Sequence, residues 1–181
     1  MVTQGSIAPD FTLETDAGAK VTLSQIRGKQ VVLFFYPKDD TPGCTIECKE
    51  FRDAAPKFEG KALVFGISTD DRASHEAFRD KFSLNFPLLC DAGHEVCDAY
   101  GVWGPGKWGE GIRRTTVIVG ADGRIKKVFE NVSPQGHAGG SRCPIARTNR
   151  GLPLRSDDES GPRAFAMGGA LHARSTARSA D

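Results

Sequence analysis

The chain has 181 residues, of which 39% are hydrophobic and 26% charged, a composition typical of a soluble globular protein with one core. Its 24 basic and 23 acidic side chains leave a formal net charge of +1, which argues against nucleic acid as a partner because no sustained positive field attracts a polyanion. No apolar stretch approaches the roughly 20 residues of a membrane helix and the N-terminus lacks a secretory pattern, so we expect a cytoplasmic protein.

The first half of the chain reads as strands and helices around a parallel crossover. An Asp-Ala-Gly turn precedes residues 21–23 and predicts a short hairpin strand there. Residues 30–36 and 62–68 are continuous apolar runs rich in β-branched and aromatic side chains, which predicts strands covered on both faces. Residues 45–55 between them predict a helix that Pro56 ends. A strand, a helix and a strand in this order form a parallel crossover.

The next elements complete a mixed sheet. Ser74 is a candidate cap for a second helix, and residues 95–100 predict a shorter one. Residues 115–119 and 124–129 flank the Ala-Asp-Gly triplet 121–123, which predicts a hairpin because glycine tolerates the positive φ of such turns. A parallel crossover in the middle and an antiparallel pair at the end indicate an α/β fold of thioredoxin type, with a mixed central sheet flanked by helices.

Five cysteines are too few and too irregularly spaced for a disulfide scaffold. In a reducing compartment they indicate catalysis, metal binding or burial. Cys90 and Cys97 with His94 between them lack a fourth ligand at the usual zinc spacing, so we expect no metal and no cofactor. His75 and His137 have no catalytic role that the sequence supports, and we interpret them as structural or solvated side chains.

The most informative stretch joins the end of a buried strand to the start of a helix and contains Cys44. Unpaired N–H groups and the partial positive charge at a helix N-terminus stabilise an anion, which predicts that Cys44 is a thiolate near neutral pH. Thr41 can direct its hydroxyl toward the sulfur or toward a molecule bound beside it. Pro37 and Pro42 stiffen the loop, and Gly43 permits close approach of the backbone.

The spacing Pro37-x-x-x-Thr41-x-x-Cys44 resembles the active-site motif of the peroxiredoxin superfamily, and the surrounding residues 35–45 resemble its bacterioferritin comigratory protein (PrxQ) branch. Further matches extend over the first 138 residues. The resemblance implies a thiol-dependent peroxidase that reduces hydrogen peroxide and alkyl hydroperoxides through a sulfenic acid on Cys44. It also implies recycling by thioredoxin or a similar thiol, and we expect a monomer.

The arginine of this family falls on Arg114. The resemblance implies that Arg114 holds the thiolate and stabilises the charge that develops on the leaving oxygen. Arg113 is its neighbour in a strand, where successive side chains point to opposite faces, so only one of the two can reach the site.

The sequence does not identify the thiol that resolves the sulfenic acid. Many relatives carry it five residues after the first cysteine, where this chain has Lys49, and others carry it in the following helix, where this chain has no cysteine. Cys48 is the nearest candidate, four residues on, but Cβ atoms at that spacing lie ~5–6 Å apart and a disulfide needs ~3.8 Å, so the turn must partly unwind. Cys97 and then Cys90 are more distant candidates, and an external thiol is a further alternative.

Residues 139–181 differ in composition from the preceding part. They contain seven arginines and no lysine, whereas the first 138 residues contain ten lysines and seven arginines. Relatives continue a helix after a Gly-His-Ala triplet such as residues 136–138, but this chain continues with Gly-Gly-Ser-Arg-Cys-Pro. We interpret residues 1–138 as the domain and residues 139–181 as a frameshift-like, disordered tail, in which Cys143 has no role.

Two other functions use the same residues. A thiol-disulfide oxidoreductase shares the fold, but its cysteines are usually separated by two residues, whereas three separate Cys44 from Cys48. A redox sensor or an inactive remnant is the alternative outside catalysis, and the atypical tail favours it.

Overall fold

Seven strands form one mixed sheet in the computed structural model, which describes residues 1–106 and 109–138. The strands of the described residues are β1 (Thr12–Thr15), β2 (Lys20–Thr22), β3 (Gln30–Phe35), β4 (Ala62–Ser68), β5 (Leu88–Cys90), β6 (Trp103–Gly106), β7 (Gly109–Ile112), β8 (Thr115–Val119) and β9 (Ile125–Phe129). The helices are α1 (Pro42–Phe58), α2 (Arg72–Phe82) and α3 (Glu95–Ala99). The prediction for the tail 139–181 lies outside the described residues.

The crossover predicted from the sequence lies in the middle of the sheet. The strand order is β2-β1-β5-β4-β3-β8-β9, and β3, β4 and β5 are parallel. β1 and β8 border them in antiparallel pairing, and β9 closes one edge as a hairpin with β8. β6 and β7 form a separate two-stranded sheet that the sequence did not predict. The α/β class with a mixed central sheet flanked by helices is confirmed.

Side chains of β3 alternate between two cores on opposite faces of the sheet, as a strand covered on both sides requires. Val32 and Phe34 pack with apolar side chains of α1 and α2, and we call this side the α1 face. Val31 and Leu33 pack with the side chains around α3, and we call this side the α3 face. No helix of the described residues is long and apolar enough to cross a membrane.

Helix α1 is longer than predicted at both ends. It begins at Pro42, because proline suits the first helical position, where its missing N–H leaves no bond unmade. The prediction that Pro56 ends the helix is wrong, since the helix continues to Phe58. A proline at that position frees the carbonyl of Arg52, and the side-chain amide of Asn85 donates to this carbonyl at 3.1 Å. A contact distant in the sequence therefore compensates for the lost helical bond.

Ser74 does not cap α2, contrary to the prediction. The cap is Asp71, whose carboxylate accepts the backbone N–H of Ser74 at 2.8 Å. The Ser74 hydroxyl donates instead to the carboxylate of Asp39 in the loop before α1, also at 2.8 Å. Ile46 lies on the exposed side of α1.

Candidate active site

Cys44 lies in the first turn of α1, as its third residue, and only 1% of it is exposed. Thr41 precedes the helix in an extended conformation, so the backbone turns from loop to helix directly before the sulfur. The N–H groups of a first helical turn lack intrahelical partners and favour an anion nearby. The fold thus gives Cys44 the placement at a helix N-terminus that the sequence indicated.

Arg114 provides the cation of the site. Its Nη2 donates to the Sγ of Cys44 at 3.2 Å, and its Nη1 forms an ion pair with Glu47. Burial acts to lower the pKa of Arg114, but the nearby Glu47 and Cys44 outweigh it and the pKa is raised. Arg113 lies on the other side of the chain, where its Nη2 donates to the carbonyl of Gly101 at 2.6 Å. Of these two arginines, only Arg114 reaches the sulfur.

Glu47 is a site residue that the sequence reasoning missed. It is fully buried, and one carboxylate oxygen pairs with Arg114 while the other, Oε1, has no hydrogen-bond partner among the described residues. Burial raises its pKa to about 7, and the charge of Arg114 opposes this rise. A signal was present, because residues three apart on a helix share a face, and Glu47 follows Cys44 at that spacing.

Thr41 and Pro37 form the outer part of the loop. The Thr41 hydroxyl donates to the carbonyl of Lys38 at 3.0 Å, and no hydrogen bond joins it to Cys44 in the described part of the chain. Pro37 is exposed at the start of the loop. The two residues therefore flank the site, and neither contacts the sulfur through a hydrogen bond.

The four cysteines of the described residues are free thiols in different surroundings. Cys48 is buried on the α1 face, one helical turn after Cys44, and burial raises its pKa, as do the nearby Glu47 and Cys44. Cys97 is buried on the α3 face, so the sheet lies between it and Cys44. Cys90 is partly buried at the end of β5, where burial raises its pKa to about 11. Cys48 therefore shares the α1-face core with Cys44, and Cys97 lies in the core of the other face.

The segment after β9 returns to the site. The backbone N–H of Val132 donates to the carbonyl of Arg114 at 3.1 Å, and His137 forms a hydrogen bond of 2.9 Å with Thr116. Burial lowers the pKa of His137. Glu50 of α1 accepts the backbone N–H of Ala138 at 3.3 Å. These contacts fasten the end of the described chain beside the first turns of α1.

No group of three or more His, Cys, Asp or Glu side chains within residues 1–106 and 109–138 is arranged to hold a metal ion. Of the cluster considered from the sequence, His94 bonds to Asp98 at 2.7 Å and stacks on Trp103. The side chains that meet at the site are the thiol of Cys44, the guanidinium of Arg114 and the carboxylate of Glu47.

Comparisons with known proteins agree with this arrangement. The model of the AhpC/TSA family matches residues 4–128. A putative peroxiredoxin bcp of Helicobacter pylori is 44% identical over 139 residues, covering 74% of this chain and 91% of the relative. The structure of peroxidoxin BcpB from Mycobacterium tuberculosis aligns with a TM-score of 0.75 at 33% identity, covering 83% of this chain and 100% of the other.

A third similar protein is the bacterioferritin comigratory protein of Xanthomonas campestris, whose structures were described together with its alkyl peroxide reduction activity. It aligns with a TM-score of 0.66 at 32% identity, covering 71% of this chain and 85% of the other. The resemblance found in the sequence motif is thereby confirmed over the greater part of the chain. The chain belongs to the AhpC/TSA family, as a peroxiredoxin of the Bcp (PrxQ) type with a thioredoxin-like fold, and it is a thiol-dependent peroxidase.

Proposed function

We propose that Cys44 is the nucleophile that reduces hydroperoxides. Its thiolate attacks one peroxide oxygen, the O–O bond breaks, and the other oxygen leaves as water or an alcohol after taking up a proton. The sulfur is oxidised by two electrons to a sulfenic acid, and the peroxide is reduced by two. The observation that carries this proposal is the 3.2 Å contact from Arg114 to the Cys44 sulfur at the start of α1.

The other predicted residues have supporting roles in this proposal. Arg114 holds the thiolate and stabilises the negative charge that develops on the leaving oxygen in the transition state. Thr41 lies one turn of backbone before the sulfur, where a rotation of its hydroxyl would bind a peroxide oxygen. Pro37 restricts the loop between β3 and α1. The site residues of the proposal are thus Cys44, Arg114, Thr41 and Pro37.

We include hydrogen peroxide and alkyl hydroperoxides among the substrates. Both supply the same O–O bond to the sulfur, and the alkyl peroxide reduction named for the Xanthomonas campestris protein supports the second class. We further propose that the protein acts as a cytoplasmic monomer. A reducing compartment suits the four free cysteines of the described residues.

For the second half of the cycle we propose Cys48 as the resolving thiol. Its sulfur attacks the sulfenic sulfur, the S–O bond breaks, water leaves and a disulfide forms. The raised pKa of Cys48 and its complete burial keep it protonated in the folded helix, so resolution requires the first turns of α1 to open. Thioredoxin or a similar dithiol then reduces the disulfide. Cys97 is disfavoured because the sheet separates it from Cys44.

Intact mass after one equivalent of peroxide tests both halves of the cycle. We expect the wild type to lose two hydrogens, Cys48→Ser to gain one oxygen, and Cys44→Ser to stay unchanged. Cys97→Ser is the matched control and should behave as the wild type does. A disulfide that persists in Cys48→Ser excludes Cys48, and a lasting sulfenic acid in the wild type assigns resolution to an external thiol. An unmodified wild type contradicts the role of Cys44.

A further inference from the structure

Asp39 lies inside the loop that carries the site, yet its side chain is buried. Its carboxylate accepts three hydrogen bonds, from the Tyr36 hydroxyl at 2.7 Å, from the Ser74 hydroxyl at 2.8 Å and from Nδ1 of His75 at 2.8 Å. Its backbone N–H donates to the carboxylate of Asp70 at 2.8 Å. A residue midway between Pro37 and Thr41 is therefore fixed on both its side chain and its backbone.

His75 is 0% exposed, and acceptors face both of its ring nitrogens. The carbonyl of Leu89 faces Nε2 at 3.2 Å and can only accept, so Nε2 carries a hydrogen. The carboxylate of Asp39 faces Nδ1, so a second hydrogen lies between these two groups. A buried carboxylate is most favourable when a cation compensates it. This arrangement of acceptors around the ring suits an imidazolium paired with a carboxylate.

We infer that Asp39 and His75 form a buried carboxylate–imidazolium pair that positions the Pro37–Cys44 loop for the reaction at Cys44. The pair joins this loop to α2, which carries His75, and to β5, which carries Leu89. Tyr36 and Asp70 add the ends of β3 and β4 to the same network. The carboxyl ends of all three parallel strands are thereby connected to one loop residue.

A second, partly exposed ion pair of α2 does not reach the loop. Arg79, one helical turn after His75, pairs with the buried carboxylate of Asp16 in the turn between β1 and β2. Both pairs fasten α2 to the sheet, and of the two only that of His75 includes a residue between Pro37 and Cys44. Lys81 of α2 also pairs with Asp40 of this loop, but on the surface, where both side chains are at least half exposed and the pair contributes little. Arg79→Met is therefore a control that weakens α2 and leaves the loop in place.

The rate of the reaction depends on how accurately the loop places the Cys44 sulfur. Cys44 must meet a peroxide while Arg114 contacts its sulfur, and a misplacement of about 1 Å can cost up to ~10²-fold in rate. Asp39 and His75 do not contact the sulfur through a hydrogen bond within the described residues, so they are positioning residues. This inference rests on the proposed function of Cys44.

The test compares the second-order rate of Cys44 oxidation by hydrogen peroxide with the free energy of unfolding in urea. We expect His75→Gln and Asp39→Asn to slow oxidation by about tenfold or more, and Arg79→Met to stay within about twofold of wild type at a similar loss of stability. The double variant Asp39→Asn/His75→Gln restores complementary hydrogen bonds without charge, so we expect it to react faster than either single variant.

Nitrogen NMR of the His75 ring in the wild type tests the pair without any substitution, and should show hydrogen on both ring nitrogens. A neutral ring overturns the inference. So does a His75→Gln rate within about twofold of wild type, or an equal rate loss in Arg79→Met. A wild type that fails to react with peroxide removes the proposed function itself, whereas a reactive wild type with insensitive variants removes only the positioning role.

Discussion

The two faces of the central sheet bury thiols equally well and surround them differently. On the α1 face, Cys44 contacts the guanidinium of Arg114, and Glu47 shares that cation. On the α3 face, Cys97 is as deeply buried, but its charged neighbour is Asp91, whose carboxylate accepts the backbone N–H of Cys97 at 2.8 Å. Burial and Asp91 both raise the pKa of Cys97. Burial is therefore common to both thiols, and the contact with a cation distinguishes Cys44 from Cys97.

The arginine pair offers the strongest test of this comparison. We expect Arg114→Met to slow oxidation of Cys44 by peroxide about 10²- to 10³-fold, the usual cost of removing a donor that stabilises developing charge. The same substitution at Arg113 should leave the rate unchanged, because Arg113 contacts Gly101 and not the sulfur. Stopped-flow oxidation with limiting peroxide measures both variants.

Arg114→Lys sharpens the result. Lysine keeps the charge but cannot contact Cys44 and Glu47 together through one planar group, so we expect a rate between those of wild type and Arg114→Met. Equal losses in the Arg113 and Arg114 methionine variants would show that the two faces are not distinguished by this cation.

The elements that local patterns control were predictable. The apolar runs of β3 and β4 match the observed strands because their side chains are buried on both faces whatever the neighbouring helices do. Strand alternation predicted different directions for Arg113 and Arg114, and the structure shows this difference although both residues lie between β7 and β8. Cys44 was placed at a helix start because it lies between the apolar run of residues 30–36 and the helix predicted over residues 45–55.

Features that depend on distant contacts were not predictable. Pro56 predicts a helix end. The prediction fails because Asn85, distant in the sequence, donates a hydrogen bond to the carbonyl that the proline leaves without a helical partner. Glu47 looks like a solvated helix residue until Arg114 arrives from β8 as its partner. Asp39 reads as one of many loop carboxylates, and only the fold brings His75 against it. In each case the fold brings a polar group into contact with a partner that is distant in the sequence.

The next prediction concerns the pH dependence of stability that Glu47 causes. Its pKa rises from an ordinary value of 4.5 to about 7 on folding, so the folded state holds a proton that the unfolded state has released. Between these pH values stability must fall as pH rises, because the unfolded chain ionises Glu47 more easily. The fall attributable to Glu47 is on the order of 3 kcal/mol.

Urea unfolding of wild type and Glu47→Gln at pH 4.5 and pH 7.5 measures this fall. Glutamine keeps a hydrogen bond to Arg114 and cannot ionise, so we expect the variant to become more stable relative to wild type as the pH rises. Asp98→Asn, an exposed carboxylate of α3 that pairs with His94, is the control on the other face. A difference between wild type and Glu47→Gln that is constant with pH would contradict the buried, proton-holding carboxylate.

The smallest effect concerns Gly43, which separates the Arg114 guanidinium from the segment after β9. A Cβ at this position would lie 3.3 Å from Nη2 of Arg114 and 3.3 Å from the ring of Pro134. Both neighbours can yield by a few tenths of an ångström, so we expect Gly43→Ala to slow peroxide oxidation by only about threefold, equivalent to less than ~1 kcal/mol. Gly111→Ala is the matched control, because a Cβ there meets nothing within 4 Å.

We expect Gly43→Ala to slow the reaction without lowering the free energy of unfolding. Alanine is favoured over glycine in a helix by up to about 1 kcal/mol, so Gly43→Ala should leave the free energy of unfolding unchanged or raise it. A variant that is at least as stable as wild type and yet slower toward peroxide would separate the position of Arg114 from the strength of the fold. A rate equal to that of wild type would show that the contact between Arg114 and Cys44 tolerates displacement, which would weaken the claim that this cation is what makes the α1 face reactive.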